Sequence, residues 1–240
     1  RYHMLEDKEN FRLTERFLDD LTDDLDMAFL CSPSNPAGQV IPEALLRKVI
    51  SRCQEKGIRL VLDECFIEFA DKEKAFYAER EAAAYPQMFV ARAFTKMHAI
   101  PGLRLGYGIT SDTELMERMS RARQPWSVSI PAQEAGIAAL SEEEALKTEK
   151  TRILIQAERA RMEQELAGLG IHVIPSEANF ILMHSSMDLA EKLKGKGILI
   201  RDCGNYRGLE KGWYRAAVRL PEENDLLLKA VREISERRTY

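Results

Sequence analysis

Three short apolar runs, residues 27–31, 58–62 and 88–94, limit what this chain can fold into. The first runs straight into Ser32-Pro33-Ser34-Asn35-Pro36-Ala37-Gly38, a loop dense in turn formers. Pro42 then stands where a helix can open without losing a hydrogen bond. Leu45, Leu46, Val49, Ile50 and Cys53 make an apolar stripe behind it, and Gly57 closes the helix. The run at 58–62 reads as a strand buried on both faces of a parallel sheet. Strand, helix and strand at this spacing form a βαβ unit, right-handed in nearly all cases. In open sheets of this kind ligands bind beyond the carboxyl ends of the strands.

Those ends carry chemistry. Asn35 follows the first run, Asp63 the second, and Thr95-Lys96 the third, with Arg104 eight residues beyond Lys96 in a Pro-Gly-bounded segment. Each alone has a plainer reading. Asn before Pro is usually a turn residue, Asp at a strand end is often a helix cap, and most lysines are solvated. An amide, a carboxylate and an amine at three successive strand ends is a rarer coincidence. A lysine in an apolar setting is a carbonyl-reactive amine, suited to a Schiff base. An arginine fork suits a phosphate. An aldehyde that bears a phosphate is pyridoxal phosphate. Its ring nitrogen works only while protonated, which calls for a carboxylate such as Asp63. Its phenolate oxygen needs a donor, which the Asn35 amide supplies. Lys96 would form the Schiff base and then serve as acid or base. Arg104, with the Thr95 hydroxyl, would anchor the phosphate.

Composition narrows the partners. With 240 residues, 45% hydrophobic and 31% charged, the chain has the make-up of an ordinary globular protein with room for a large domain and a smaller one. A formal charge of -4 argues against nucleic acid or an anionic membrane as partner. No apolar run approaches a membrane span, and the first residues do not read as a signal peptide. Cys31, Cys53, Cys65 and Cys203 lack metal-ligand spacing and read as reduced, mostly buried thiols of a cytoplasmic protein. No metal is expected.

The second half changes character. An aspartate-capped helix over 112–123 and another over 131–140 precede a Ser141/Glu144 capping box and a long helix to about Leu166. Short strands near 171–174, 179–183, 198–201 and 213–220 then alternate with helices over 187–194 and 222–237. The expected fold class is α/β: residues 1–140 as the remainder of a mainly parallel-sheet large domain, and 141–240 as a linking helix with a smaller α+β domain. Alternation along 213–220 puts Arg215 and Arg219 on one face. On its own this is an exposed basic sheet edge.

The segments SPSNPAG, VLDECFIEF and ARAFTKMHAIPGLRLGY, in this order and spacing, resemble the successive motifs of fold-type-I pyridoxal-phosphate enzymes of the class I/II aminotransferase group. Asn35, Asp63, Lys96 and Arg104 fall on its motif positions. The resemblance implies a carboxylate clamp at Arg215 and a cleft residue at Asn179, and it leaves Arg219 to structure or to a substrate phosphate. Arg201, ahead of the loop CGNYRG, is a further candidate for a phosphate. Two positions depart from the pattern. Ala93 replaces a serine that would offer the phosphate a hydroxyl, and Phe66 replaces a tyrosine that would donate to the phenolate. QPWSVS, ILIRDCGNYRGL and WYRAAVR resemble the branch that takes phosphorylated substrates. Within it, decarboxylation of a phosphorylated threonine is expected ahead of transamination of a histidinol phosphate. The group also implies a homodimer with its active site at the subunit interface. Its amino-terminal glycine loop, ring-stacking aromatic and partner-subunit tyrosine are not seen in this sequence. The chain therefore reads as lacking that segment, with an inactive fragment as the alternative.

Overall fold

The computed structural model describes residues 1–236, so Arg237, expected at the end of the closing helix, lies outside the described residues. The chain folds into two compact units. One comprises Leu13–Pro33 and Val40–Thr151, the other Arg1–Arg12, Ser34–Gln39 and Arg152–Tyr240.

The first unit opens with α1 (Phe17–Asp20) and β1 (Met27–Cys31), followed by α2 (Glu43–Glu55) and β2 (Arg59–Asp63). Then come α3 (Glu79–Ala84), β3 (Met88–Ala93), a 3-10 turn at Pro101–Leu103, and β4 (Gly106–Ile109). β1, β2 and β3 pair in parallel in that order, and β4 closes the row antiparallel to β3. Two further helices, α4 (Thr113–Ala122) and α5 (Ile130–Ala139), lead to α6 (Glu142–Gly168), which runs from this unit into the other. The predicted caps are present. Asp112 accepts from Leu115 N at 2.8 Å, and Ser141 Oγ accepts from Glu144 N at 3.3 Å.

Packing explains α2. All five stripe residues are buried, and each fully buried aliphatic side chain contributes about 1.5–3 kcal/mol. At Gly57 the backbone turns left-handed (φ 67°), and Ile58 N reaches back to Cys53 O at 2.8 Å. An L side chain there would be strained, so the glycine ends the helix. The stripe meets Leu60, Leu62 and Val90 in one core. The expectation that β2 is buried on both faces holds for one face only. Leu60 and Leu62 are buried, whereas Val61 and Asp63 are half-buried and Phe29 on the neighbouring strand is 70% exposed. The reason is that α2 and α3 pack against these strands with the face carrying Leu60 and Leu62.

The second unit carries β5 (His172–Ile174), β6 (Phe180–His184), α7 (Leu189–Lys194), β7 (Arg201–Asp202), β8 (Trp213–Ala217) and α8 (Pro221–Glu236). Its sheet order is β5-β6-β8-β7, antiparallel throughout. Phe11 from the first residues enters this core edge-on to Trp213, with ring centroids 5.0 Å apart. Among the described residues no helix is long and apolar enough to cross a membrane. The fold class is thus the α/β arrangement expected, a mixed sheet with a parallel core alongside an α+β unit.

Candidate functional site

In the β1–β4 unit the predicted residues gather at one end of the sheet. Asp63 ends β2, opposite Cys31 on one side and Ala91 on the other. Its Oδ1 accepts from Cys65 N at 2.9 Å, an Asx turn that swings the chain off the strand. Phe66 follows, and its ring centre lies 5.1 Å from Lys96 Nζ, within reach of a cation–π contact. Burial pushes the Cys65 thiol up to about 12, and the hydrogen bond and charge of Asp63 add to this while Lys96 opposes it. Asp63, Cys65, Phe66 and Lys96 therefore share one neighbourhood.

Lys96 is exposed, which corrects the desolvated setting read from its apolar neighbours. Phe94 and Met97 on either side take the interior, and the turn between them projects the lysine outward past the half-buried Thr95. Arg104 is exposed too. It has a left-handed backbone (φ 57°, ψ 49°), unusual for a residue with a side chain, and its Nη1 donates to Pro101 O at 2.9 Å. Across the β3–β4 ladder Ala93 faces Gly106. A Cβ on Gly108 would sit 2.1 Å from the Phe89 ring, so a side chain there would push that ring aside.

In the β5–β8 unit a different set meets. The loop Ser34–Gln39 is fixed by Gly38 N to Ser34 O at 2.7 Å, by Glu177 N to Gly38 O at 2.7 Å, and by the Gln39 amide on Pro175 O. This presents Asn35, whose Oδ1 accepts from Arg215 Nη1. The Arg215 guanidinium also lies 5.0 Å from the Phe180 ring centre. Directly opposite Arg215 in the β7–β8 ladder stands Arg201, and opposed residues of an antiparallel pair share a face. Arg201 reaches Asn205 Oδ1 at 3.4 Å and lies 5.8 Å from the Tyr206 ring centre. Neither arginine has a carboxylate partner among the described residues. Such a pair repels itself and suits an anion.

Arg219 does not join them. β8 ends at Ala217, and the Asn224 side chain bonds both Arg219 N and Arg219 O at 2.9 Å, turning the chain toward α8. The shared face expected for Arg215 and Arg219 is therefore not formed. Arg219 pairs with Glu223 at 2.7 Å on the surface. The Asn179 backbone oxygen accepts from Val218 N at 2.9 Å, and its Oδ1 is buried without a hydrogen-bond partner among the described residues. A buried acceptor without a partner is uncommon.

Two important residues escaped the sequence reading. Glu64, 1% exposed, accepts from Arg92 Nε at 2.9 Å and from Arg92 Nη2 at 2.7 Å. The available signal was a pair of opposite charges at the ends of adjacent strands. As for the cofactor read from the sequence, the β1–β4 unit supplies an amine, a carboxylate, an aromatic ring, a hydroxyl and a guanidinium. The β5–β8 unit supplies an amide, an orphan acceptor and two cations. The donors of the β1–β4 unit by themselves fit a phosphorylated aldehyde, and the two cations of the β5–β8 unit suit an anion.

Comparison with known proteins agrees. The pattern of the family described as Aminotransferase class I and II matches residues 1–231. A threonine-phosphate decarboxylase of Salmonella typhimurium is 39% identical over 234 residues, covering 96% of this chain and 63% of that protein. A histidinol-phosphate aminotransferase of Methanosarcina mazei is 36% identical over 220 residues, covering 90% and 56%. The crystal structure of a histidinol-phosphate aminotransferase from Clostridium acetobutylicum superposes with a TM-score of 0.88 at 31% identity, covering 95% of this chain and 70% of that one. The chain thus spans less than two thirds of the length of these two sequence relatives. Relatives in this group depend on pyridoxal phosphate. With its motifs, fold and site chemistry in agreement, the chain belongs to the aminotransferase class I and II family.

Proposed function

We propose that this chain is the part of a pyridoxal-phosphate enzyme that binds the cofactor and a phosphorylated amino acid. The reaction proposed is decarboxylation of L-threonine O-3-phosphate to (R)-1-aminopropan-2-yl phosphate, a step of cobalamin biosynthesis, carried out in the cytoplasm by a homodimer. The observation that carries the reading is Lys96 over the Phe66 ring, three residues past Asp63, at the ends of neighbouring parallel strands. The choice of reaction is supported by the 39% identity to the threonine-phosphate decarboxylase.

When bound, pyridoxal phosphate supplies a protonated ring that takes up the electron pair of a bond broken at the substrate α-carbon. Asp63 would hold the proton on the ring nitrogen. The Lys96 amine would hold the cofactor aldehyde covalently and later return a proton to the α-carbon. Thr95 and Arg104 would hold the cofactor phosphate. Asn35 accepts from Arg215 through its amide oxygen, and its NH₂ end would be free to donate to the phenolate oxygen. Phe66 contributes a face but no hydroxyl. Arg215 would grip the substrate carboxylate as a fork, and Arg201 across the ladder would receive the substrate phosphate. Asn179 would accept from the ligand, and Arg219 would serve structure through Glu223.

A second reading, transamination of a histidinol phosphate, is favoured by the 36% relative and by the TM-score of 0.88. The test uses the full chain with pyridoxal phosphate. A visible band that borohydride bleaches, together with carbon dioxide release from L-threonine O-3-phosphate, is expected. Amino transfer from glutamate to imidazole-acetol phosphate without carbon dioxide would replace the first reading with the second. Absence of any band would show that this chain alone does not hold the cofactor.

A further inference from the structure

One buried charge cluster in the β1–β4 unit touches every segment that carries its candidate residues. Glu64 directly follows Asp63, and its N–H donates to Ala91 O at 2.9 Å across the strand ends. Its Oε1 accepts from Ala78 N at 3.0 Å, and its Oε2 takes both near hydrogens of the Arg92 fork. Arg92 lies four residues before Lys96. Its Nη1 reaches Glu79 Oε2 at 2.7 Å, and its guanidinium lies 5.4 Å from the Tyr77 ring centre. In the β3–β4 ladder Arg92 stands opposite Tyr107, three residues after Arg104, and Tyr107 packs 5.8 Å from Phe94. Phe94 N in turn donates to Leu105 O at 3.1 Å.

We infer that Glu64 and Arg92 are positioning residues, a clamp that fixes the Lys96 turn and the Arg104 loop relative to Asp63. The link to the cofactor rests on the function proposed above; the link to the loops does not. The chain needs such a device here because Lys96 and Arg104 are both exposed and sit in turns. Each turn leaves its charged side chain largely in solvent, where burial does little to fix its direction. Two donors of one planar guanidinium on a single carboxylate oxygen, whose partner oxygen is held by Ala78 N, fix direction as well as distance. Burial leaves the pair unscreened by water, and its removal would free both loops at once.

The test compares this pair with a second largely buried ion pair of the same unit. Arg59 Nη2 meets Asp112 Oδ2 at 2.6 Å at the opposite end of β2, with both side chains largely buried. Glu64→Gln and the milder Arg92→Lys are made in the full chain, with Arg59→Met as control. Amide hydrogen exchange is measured without cofactor. Exchange over residues 94–105 should quicken about tenfold in Glu64→Gln and Arg92→Lys and not in the control. With pyridoxal phosphate, both should bind about tenfold more weakly and lose induced visible circular dichroism, a signature of cofactor orientation. Unchanged exchange over 94–105, or an equal change in Arg59→Met, would overturn the clamp. If the unaltered chain binds no pyridoxal phosphate, the proposed function fails while the exchange result still decides the clamp.

Discussion

The two units treat charge in opposite ways. In the β1–β4 unit the charge inside the structure is neutralised, Glu64 by the Arg92 fork. In the β5–β8 unit Arg201 and Arg215 face each other across a ladder, beside the amides of Asn205 and Asn35 and with no carboxylate partner among the described residues. Opposed like charges destabilise a sheet. A fold that keeps them therefore gains something elsewhere, and an anionic ligand is the simplest gain. A buried balanced pair reports on architecture, whereas an unbalanced one reports on what binds. Burial pushes the Glu64 carboxyl up, and the bonds from Ala78 and Arg92 oppose that push. The pair is thus held by geometry, with little net electrostatic gain to spare.

That contrast can be broken at several points. Lys96→Met should lower turnover about a thousandfold, while its unfolding midpoint in urea stays put because the side chain is exposed. Glu64→Ala should do the reverse first, costing about 3 kcal/mol in urea unfolding by leaving Arg92 buried without its partner. Arg215→Met should raise KM for the phosphorylated substrate by roughly 10–100-fold, with stability nearly unchanged; a fall in kcat alone would move the arginine out of substrate binding. Glu158 offers a pH test inside the β5–β8 unit. Hydrogen bonds from Arg161 hold its carboxyl below the ordinary 4.5, burial opposing and Asn224 assisting. Its folded-state value is lowered, so its contribution is full above 4.5 and fades as pH falls through the folded value. Glu158→Gln should accordingly narrow the gap between urea midpoints measured at pH 7 and at pH 3. Arg219→Ala should change stability by less than about 0.5 kcal/mol, as its pair with Glu223 is a surface one.

Local physics made much of this legible in the sequence. The α2 stripe, the Gly57 stop, the Asp112 cap and the Ser141 cap depend on residues a few positions apart, and the structure places all four as read. The strand-end motif was legible for the same reason, since Asn35, Asp63 and Lys96 each follow a short apolar run. Burial was less legible. Lys96 was read as desolvated from its neighbours, but which way a turn projects its side chain depends on what Phe94 and Met97 pack into. Arg219 was read onto a strand face because alternation has no built-in stop; the stop is Asn224, five residues on.

The sequence by itself determined the βαβ order, the helix ends, the candidate residues of the strand ends and the family, all of which follow from short-range spacing. Only the tertiary structure decided that Glu64 grips Arg92, that Arg201 faces Arg215, and that Asn35 meets Arg215 from 180 positions away. These contacts depend on sheet register and side-chain direction. Both are set by the packing of the whole core, which no local pattern contains.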